Sequence, residues 1–432
     1  MINLNGTAGN IFIDESKIQY WYQLGSSLNF ILNNNLTKSV SFQNPIEAAK
    51  AGFIVKEKTY KYCASIPGAN GYVYNILCDK IKSHSVTTAT ITIVFNSFSL
   101  AIVCINATNA TQNNDYLANI FYSAHLSKNW ASKTVRTVSN SIQDIIDISS
   151  AGDAIFVPKG NYYEELIIKN SVEFYFEQGA KLFSNNSGTP GLRIMRNIIT
   201  GFSFKVFGYG QFYWLEYGEI NPPDAAIAFN TLNNIYFEFE YIFCYKQPFF
   251  INTNAGTSTY LKGKRIDSLN PVYQTSRGID TDGYSVLDLD VVYLKTYEDI
   301  IYGQPLVNST FNLRTAYVEL FSSTSAISLG DTFVLIETNI IGSMIIHKAR
   351  SLTITDDGTL YNGGTEVNYL NIFSSYFESN KNEYSIRTAA NASGGSIILS
   401  LLGNSYSNKN YDPSVTVVNA SNYNYDSNLT LS

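Results

Sequence analysis

The chain is short of charge, of histidine and of closely spaced cysteine. Asp, Glu, Lys and Arg together make up 15% of its 432 residues, the net charge is -6, and no run of lysine or arginine stands out. Phosphate binding needs clustered positive charge, so nucleic acid is not an expected partner. The four cysteines, Cys63, Cys78, Cys104 and Cys244, lie far apart with no C-x-x-C pair and few histidines nearby. That spacing suggests neither a disulfide framework nor a zinc site, and buried thiols behaving as small apolar residues are expected instead. No metal and no cofactor is called for. The first residues, Met1-Ile2-Asn3-Leu4-Asn5-Gly6, carry neither a basic nor an apolar signal region, so no secretory signal peptide is expected. Ala89 to Asn106 is the most apolar stretch, but Thr90, Thr92, Asn96, Ser97 and Ser99 interrupt it at strand-like intervals. It reads as a β-hairpin turning near Asn96-Ser97, and no membrane insertion is expected.

What the chain has in quantity is tyrosine (32) and phenylalanine (26), among much Asn, Ser, Ile and Thr. Such a mixture suits β-surface that is adhesive yet uncharged. In the first 130 residues, Asn44 to Gly52 reads as a short helix with an N-cap, a proline at its first position and a glycine at its end. Strand-like runs, Phe53 to Tyr62, Gly71 to Cys78 and Ser85 to Ile105, surround it. Residues 1–130 are therefore expected to form a small mixed or β-rich module, joined to the rest through Lys128 to Thr134. The break in pattern near Thr134 suggests that a fragment starting near Lys133 folds alone.

Beyond that break the pattern changes. Ser139 is a plausible N-cap for a short helix that places Ile142, Ile145 and Ile146 on one face. Then come the strand and turn Gly152-Asp153-Ala154-Ile155-Phe156-Val157-Pro158-Lys159-Gly160-Asn161-Tyr162-Tyr163-Glu164, and the strand Glu165 to Ile168. Alternating strands follow at roughly regular spacing: Val172/Phe174/Phe176, Phe202/Phe204/Val206, Ile235/Phe237/Phe239, Leu287/Leu289/Val291, Phe311/Leu313/Thr315 and Phe333/Leu335, then Val367 to Leu370 and Ile397 to Leu401. Large apolar members face inward. Glu238, Glu240, Asp288, Asp290, Asn312 and Arg314 face outward. A β-sandwich alternates in the same way, but the helix and the uneven intervals favour a solenoid.

The helix followed by G-D-x-I-x-V-P-x-G-x-Y-x-E resembles the opening of pectate-lyase-like right-handed parallel β-helices, including many bacteriophage tailspikes. There an amphipathic helix covers the apolar end of the stack. The resemblance implies a right-handed parallel β-helix over residues 131–407, its strands running from about Val135 to Ser407, with 408–432 as a C-terminal cap or tail. It further implies a virion location, a homotrimer, and a structural attachment protein (tailspike, tail fibre or head fibre) that contacts host surface polysaccharide. Residues 1–130 are then expected to anchor it to other virion structural proteins. A polysaccharide depolymerase on the same scaffold and a bacterial surface adhesin are the alternatives.

Acidic pairs are the candidates for chemistry. Glu238 with Glu240, and Asp288 with Asp290, lie two apart on a strand and so share a face at about 6.5 to 7 Å, a separation that suits an inverting glycosidase. A calcium ion there would need a third carboxylate from a neighbouring strand. Asp280-Thr281-Asp282-Gly283-Tyr284, then Glu298-Asp299, distantly resembles the aspartate segments of polygalacturonase-type hydrolases, and the resemblance implies catalytic roles for Asp282, Glu298 and Asp299. That family's downstream His-Gly and Arg-x-Lys segments have no counterpart, since His347 lacks the glycine, so absence of catalysis is the expectation. Among the aromatics, Tyr162, Tyr163, Tyr293, Tyr297, Tyr302, Tyr317 and Tyr376-Phe377 fall at turns or outward positions. There rings can stack on sugars or on a neighbouring subunit. Tyr293, Tyr297 and Tyr302, with the four outward carboxylates, are the glycan-contact candidates.

Overall fold

The computed structural model of the chain describes residues 1–432 apart from 185–192, 215–224, 270–275, 304–307, 322–326, 330–335, 348–366, 380–395, 403–404, 408–415, 421–422 and 426–432. Phe333 and Leu335 lie outside the described residues. The first third of the chain is antiparallel. Ile2–Gly6 and Gly9–Ile13 form a hairpin, and a five-stranded sheet runs in the order Thr37–Ser41, Ser27–Leu32, Ile18–Leu24, Val73–Leu77, Cys63–Pro67. The apolar stretch around Asn96 is the expected hairpin, Thr90–Val94 against Ser99–Val103, and Ser83–Thr87 completes a three-stranded sheet.

Helix α1 spans Pro45–Thr59, with the Asn44 side chain accepting from the backbone N–H of Ile46 and Glu47 at 3.0 and 2.9 Å. The helix does not stop at Gly52. There the absence of a side chain lets the Trp21 ring close in, since a Cβ would stand 3.3 Å from it, so this glycine serves packing and not termination. Helix α2, Ala107–Ala124, was not expected; Asn106 caps it, and the short α3, Leu126–Asn129, follows. Among the described residues no helix is long and apolar enough to cross a membrane. All four cysteines are free and buried, and burial pushes the Cys63 and Cys104 thiols up to about 11.

From Val135 onward the strands pair in parallel, so the chain as a whole is mainly β with parallel sheets. One column of partners runs Ala154–Val157, Glu173–Phe176, Phe204–Gly208, Ile235–Cys244, Ser258–Ser268, Val286–Thr296, Ser309–Arg314, Ile336–Ile341, Val367–Phe373, Ser396–Leu402 and Thr416–Ala420. A seven-stranded sheet, Leu166–Ile168 through Ile327–Leu329, forms separately. Parallel pairing thus extends past Ser407 into the segment expected to be a cap or tail. Side chains facing the interior make one continuous apolar core from Val138 to Ile372, including Phe174, Phe237, Leu289 and Phe311. At Gly208, with φ +104, a Cβ would meet the Phe176 carbonyl at 2.2 Å, so only glycine fits that strand end.

Helix α4, Ile142–Ile148, starts three residues after Ser139. Ser141 is its N-cap, and the Glu164 carboxylate accepts from Ser141 Oγ and from the N–H groups of Ile142 and Gln143. Ile142 and Ile146 are buried against the first strands, where they cover the apolar end of the core. Placing a carboxylate in this core leaves a charge with no partner, at a cost on the order of several kcal/mol. Phe237→Asp and Leu289→Asp are therefore expected to abolish soluble expression. The partly exposed outward Lys181→Ala should stay within about 0.5 kcal/mol of wild type by urea denaturation. Equal behaviour of the two classes would contradict the inward/outward register.

Candidate functional site

Because parallel strands here pair in register, outward side chains line up in columns across successive strands. One column reads Glu238, Lys262, Asp290, Arg314, a run of alternating charge. Its neighbour reads Tyr236, Tyr260, Asp288, Asn312, Asn339, Asn371. The Asn339 amide donates to Asn312 at 2.8 Å and Asn371 to Asn339 at 2.9 Å, an amide ladder along the stack. Both columns are roofed by α1 and α2, and every one of these side chains is buried.

The centre of the roof is Asp290. Its carboxylate meets Lys56 of α1, Lys262 at 2.6 Å and the Tyr116 hydroxyl of α2. Lys56 Nζ also donates to the carbonyls of Arg314 and Thr315, and Lys262 Nζ to the Cys63 carbonyl at 2.7 Å. Arg314 pairs with Asp288 and donates through Nη1 to the Ser65 carbonyl at 2.9 Å and to Asn113 Oδ1 at 2.8 Å, with its guanidinium 4.1 Å from the centre of the Tyr116 ring. Glu238 accepts from Tyr236, from Ser123 of α2 and from the Gly208 N–H. Burial opposes ionisation of Asp290, but Lys262 and Lys56 outweigh it and hold its carboxyl well below the usual range. Burial pushes the Asp288 carboxyl up against the pull of Arg314, and pulls the Lys56 amine down against the pull of Asp290. At the edge of the same roof, Lys61 stands 3.7 Å from the Tyr209 ring centre and 4.8 Å from that of Tyr175.

These contacts correct one expectation. Glu238, Asp288 and Asp290 do point away from the apolar core, but the N-terminal module covers them, so none is open to a glycan. Contacts also cross residue 134: the N-terminal third supplies Lys56, Tyr116, Asn113 and Ser123 to charges on the parallel strands. Glu240 is only partly exposed and accepts from Gln211 at 2.8 Å. Tyr293 is half-covered by α1, whose Glu57 lies 3.5 Å from its hydroxyl.

The other candidates gather at another corner, beside the seven-stranded sheet, where Asp282 and Tyr302 are exposed, Tyr297 and Glu298 partly exposed and Asp299 buried. Arg277 lies 3.1 Å from Glu298 and 3.9 Å from Asp299, and its guanidinium sits 3.5 Å from the centre of the exposed Tyr302 ring. Gln247 donates to Asp280 at 2.9 Å, and the Tyr297 ring stands 5.8 Å from Phe321. Arg277 thus unites Glu298 with Asp299, whereas the exposed Asp282 makes no ion pair with a described residue. Sequence reasoning missed Arg277, because only the parallel register sets it beside Glu298. On the remaining open face, Tyr163, Phe183 and Tyr213 stack at 4.9 Å steps. Their ring faces are spent on one another, which leaves mainly edges and hydroxyls outward. Among the described residues no group of three or more His, Cys, Asp or Glu could hold a metal ion.

No known family model, curated protein or solved structure matches the chain, so its function is read from this geometry.

Removing Asp290 leaves two buried lysines without their shared carboxylate, at a cost of about 3–5 kcal/mol. Asp290→Ala should lose about that much in urea denaturation at neutral pH, and Lys56→Ala less, because Lys262 and Tyr116 still meet the carboxylate. A carboxylate whose folded pKa is depressed contributes stability in full above the ordinary carboxylate range, and this is lost as the pH falls through the folded value. The gap between wild type and Asp290→Asn should therefore narrow by about 1.4 kcal/mol per pH unit below roughly pH 4. A gap that widens on acidification would contradict the assignment of Asp290 as the ionised member.

Proposed function

We propose that the parallel sheets wind as a right-handed parallel β-helix, and that the chain is a structural attachment protein of a bacteriophage particle, of the tailspike or fibre type. In this reading it contacts host surface polysaccharide through the Arg277, Glu298 and Tyr302 corner. The helix covering the first strands and the long parallel columns support the architecture. The observation that carries the functional reading is the state of the carboxylates. Glu238, Asp288 and Asp290 are locked under the N-terminal module, and Glu298 and Asp299 are both held by Arg277. Hydrolysis of a glycoside needs an acid and a base facing one bond, and Asp282 is not joined to that pair. An exposed ring beside a guanidinium and carboxylates suits recognition of sugar hydroxyls and C–H faces without cleavage. A homotrimer belongs to the same reading, with the open column Tyr163, Phe183 and Tyr213 as the contact between copies. The N-terminal module would then meet other virion proteins through the surface it does not spend on the parallel strands.

The test is retention of the purified chain on immobilised bacterial capsular polysaccharides and lipopolysaccharides, with reducing ends and unsaturated uronates measured in the same wells. Binding to at least one glycan, weakened at least about tenfold by Arg277→Ala or Tyr302→Ala, without new chain ends, is the expected result. Release of chain ends that disappears in Glu298→Gln or Asp299→Asn would make the protein a depolymerase instead.

A further inference from the structure

The N-terminal module carries an exposed feature that the Arg277 corner does not explain. Tyr20 and Tyr22 flank buried Trp21 on Ile18–Leu24, and Tyr72 and Tyr74 flank buried Val73 at the start of the adjoining strand Val73–Leu77. Strand alternation sets the four phenols on the face opposite Trp21. Ring centres lie 5.6 Å apart for Tyr22 and Tyr72, 5.7 Å for Tyr22 and Tyr74, and 6.4 Å for Tyr20 and Tyr22. Phe98, at the hairpin turn, adds a fifth ring 6.3 Å from Tyr20, and Asn70 donates to the Tyr74 hydroxyl at 2.8 Å. All five rings are partly exposed.

The segments that carry them lack charge. No Asp, Glu, Lys or Arg occurs from Ile18 to Thr37, from Tyr62 to Cys78, or from Ser83 to Asn114. Burial pushes the Tyr20 phenol up to about 12 and raises that of Tyr22, so these rings stay neutral. On these segments a polyanion finds no counter-charge, and a charged peptide would lose hydration without gaining a partner. Area argues further. Rings that bury about 150–250 Å² each when fully covered, and that are already partly covered, offer well under the roughly 800 Å² a standard protein interface takes from each partner. Rigid rings with polar tips and a neighbouring amide match a small ligand with apolar C–H faces and uncharged hydroxyls.

We propose that this face of the N-terminal module binds a neutral oligosaccharide, as a glycan contact separate from the Arg277 corner. The inference shares with the attachment reading only the expectation that the ligand is a glycan. Calorimetry on the full chain tests it with cellohexaose, maltohexaose and the hexamer of N-acetylglucosamine as neutral probes, and oligogalacturonate as the acidic one. At least one neutral probe should bind with an affinity unchanged between about 50 and about 500 mM salt. Tyr22→Ala with Tyr72→Ala should weaken it at least about tenfold, and the corresponding Phe pair should retain it, with thermal unfolding showing both variants folded. Arg277→Ala should leave it intact. Silence of all three neutral probes, or binding of oligogalacturonate alone, would overturn the proposal. Loss in Arg277→Ala with retention in the Tyr22, Tyr72 double variant would support the attachment reading and overturn this one. A change of mass in light scattering caused by the double variant would assign the face to a second copy and likewise overturn it.

Discussion

The structure depends on a carboxylate that two lysines and a phenol share out of reach of water. Asp290 sits on a strand whose other face belongs to the apolar core, so its side chain has to leave that core, and the only solvent it meets is protein. Lys262 comes from the neighbouring parallel strand, while Lys56 and Tyr116 come from α1 and α2, more than 170 residues earlier in the chain. An unpaired charge at that depth is costly, and the pair tolerates little misplacement. The network therefore does less to add stability than to specify position: it sets where the N-terminal module rests on the parallel strands and in which register.

The amide ladder extends this logic. Asn109 of α2 donates to Glu337 at 2.9 Å and Gln112 to Thr310 at 3.1 Å, so the helix reads a polar column with polar side chains. Near the opposite end of α2, Tyr122 and, beyond α3, Trp130 both donate to Glu173 on an early strand. One helix thus engages strands from Glu173–Phe176 to Ile336–Ile341, and the stack cannot lengthen or slip without breaking these contacts. The Arg277 corner, the Tyr163 column and the tyrosine face of the N-terminal module lie outside this roof and keep part of their surface exposed.

How much of this was legible follows from where the information resides. The alternation of Phe237 with Glu238, or Leu289 with Asp290, is local, and it gave the inward set, the mainly β class and the hairpin around Asn96. The covering helix was legible from Ile142 and Ile146, though not its cap, because Ser141 is chosen over Ser139 by Glu164, a long-range partner. Helix α2 was illegible for a physical reason. Its buried face includes Asn109, Asn113 and Ser123, so the apolar period that signals an amphipathic helix is absent. The same fact hid the burial of Glu238, Asp288 and Asp290, since an outward charge on a strand looks solvated until its cover is known. Arg277 could not be joined to Glu298 from sequence, as 21 residues and a strand turn separate them.

The central claim is that the N-terminal module and the parallel strands are one cooperative unit tied by the buried charges. Native-state hydrogen exchange across a urea series measures this directly, comparing amides of α1 and α2 with those of Ile235–Cys244 and Val286–Thr296. The account predicts that both sets merge into one global opening with a common free energy and denaturant slope. Opening of α1 and α2 at distinctly lower urea, with the parallel strands still protected, would contradict it.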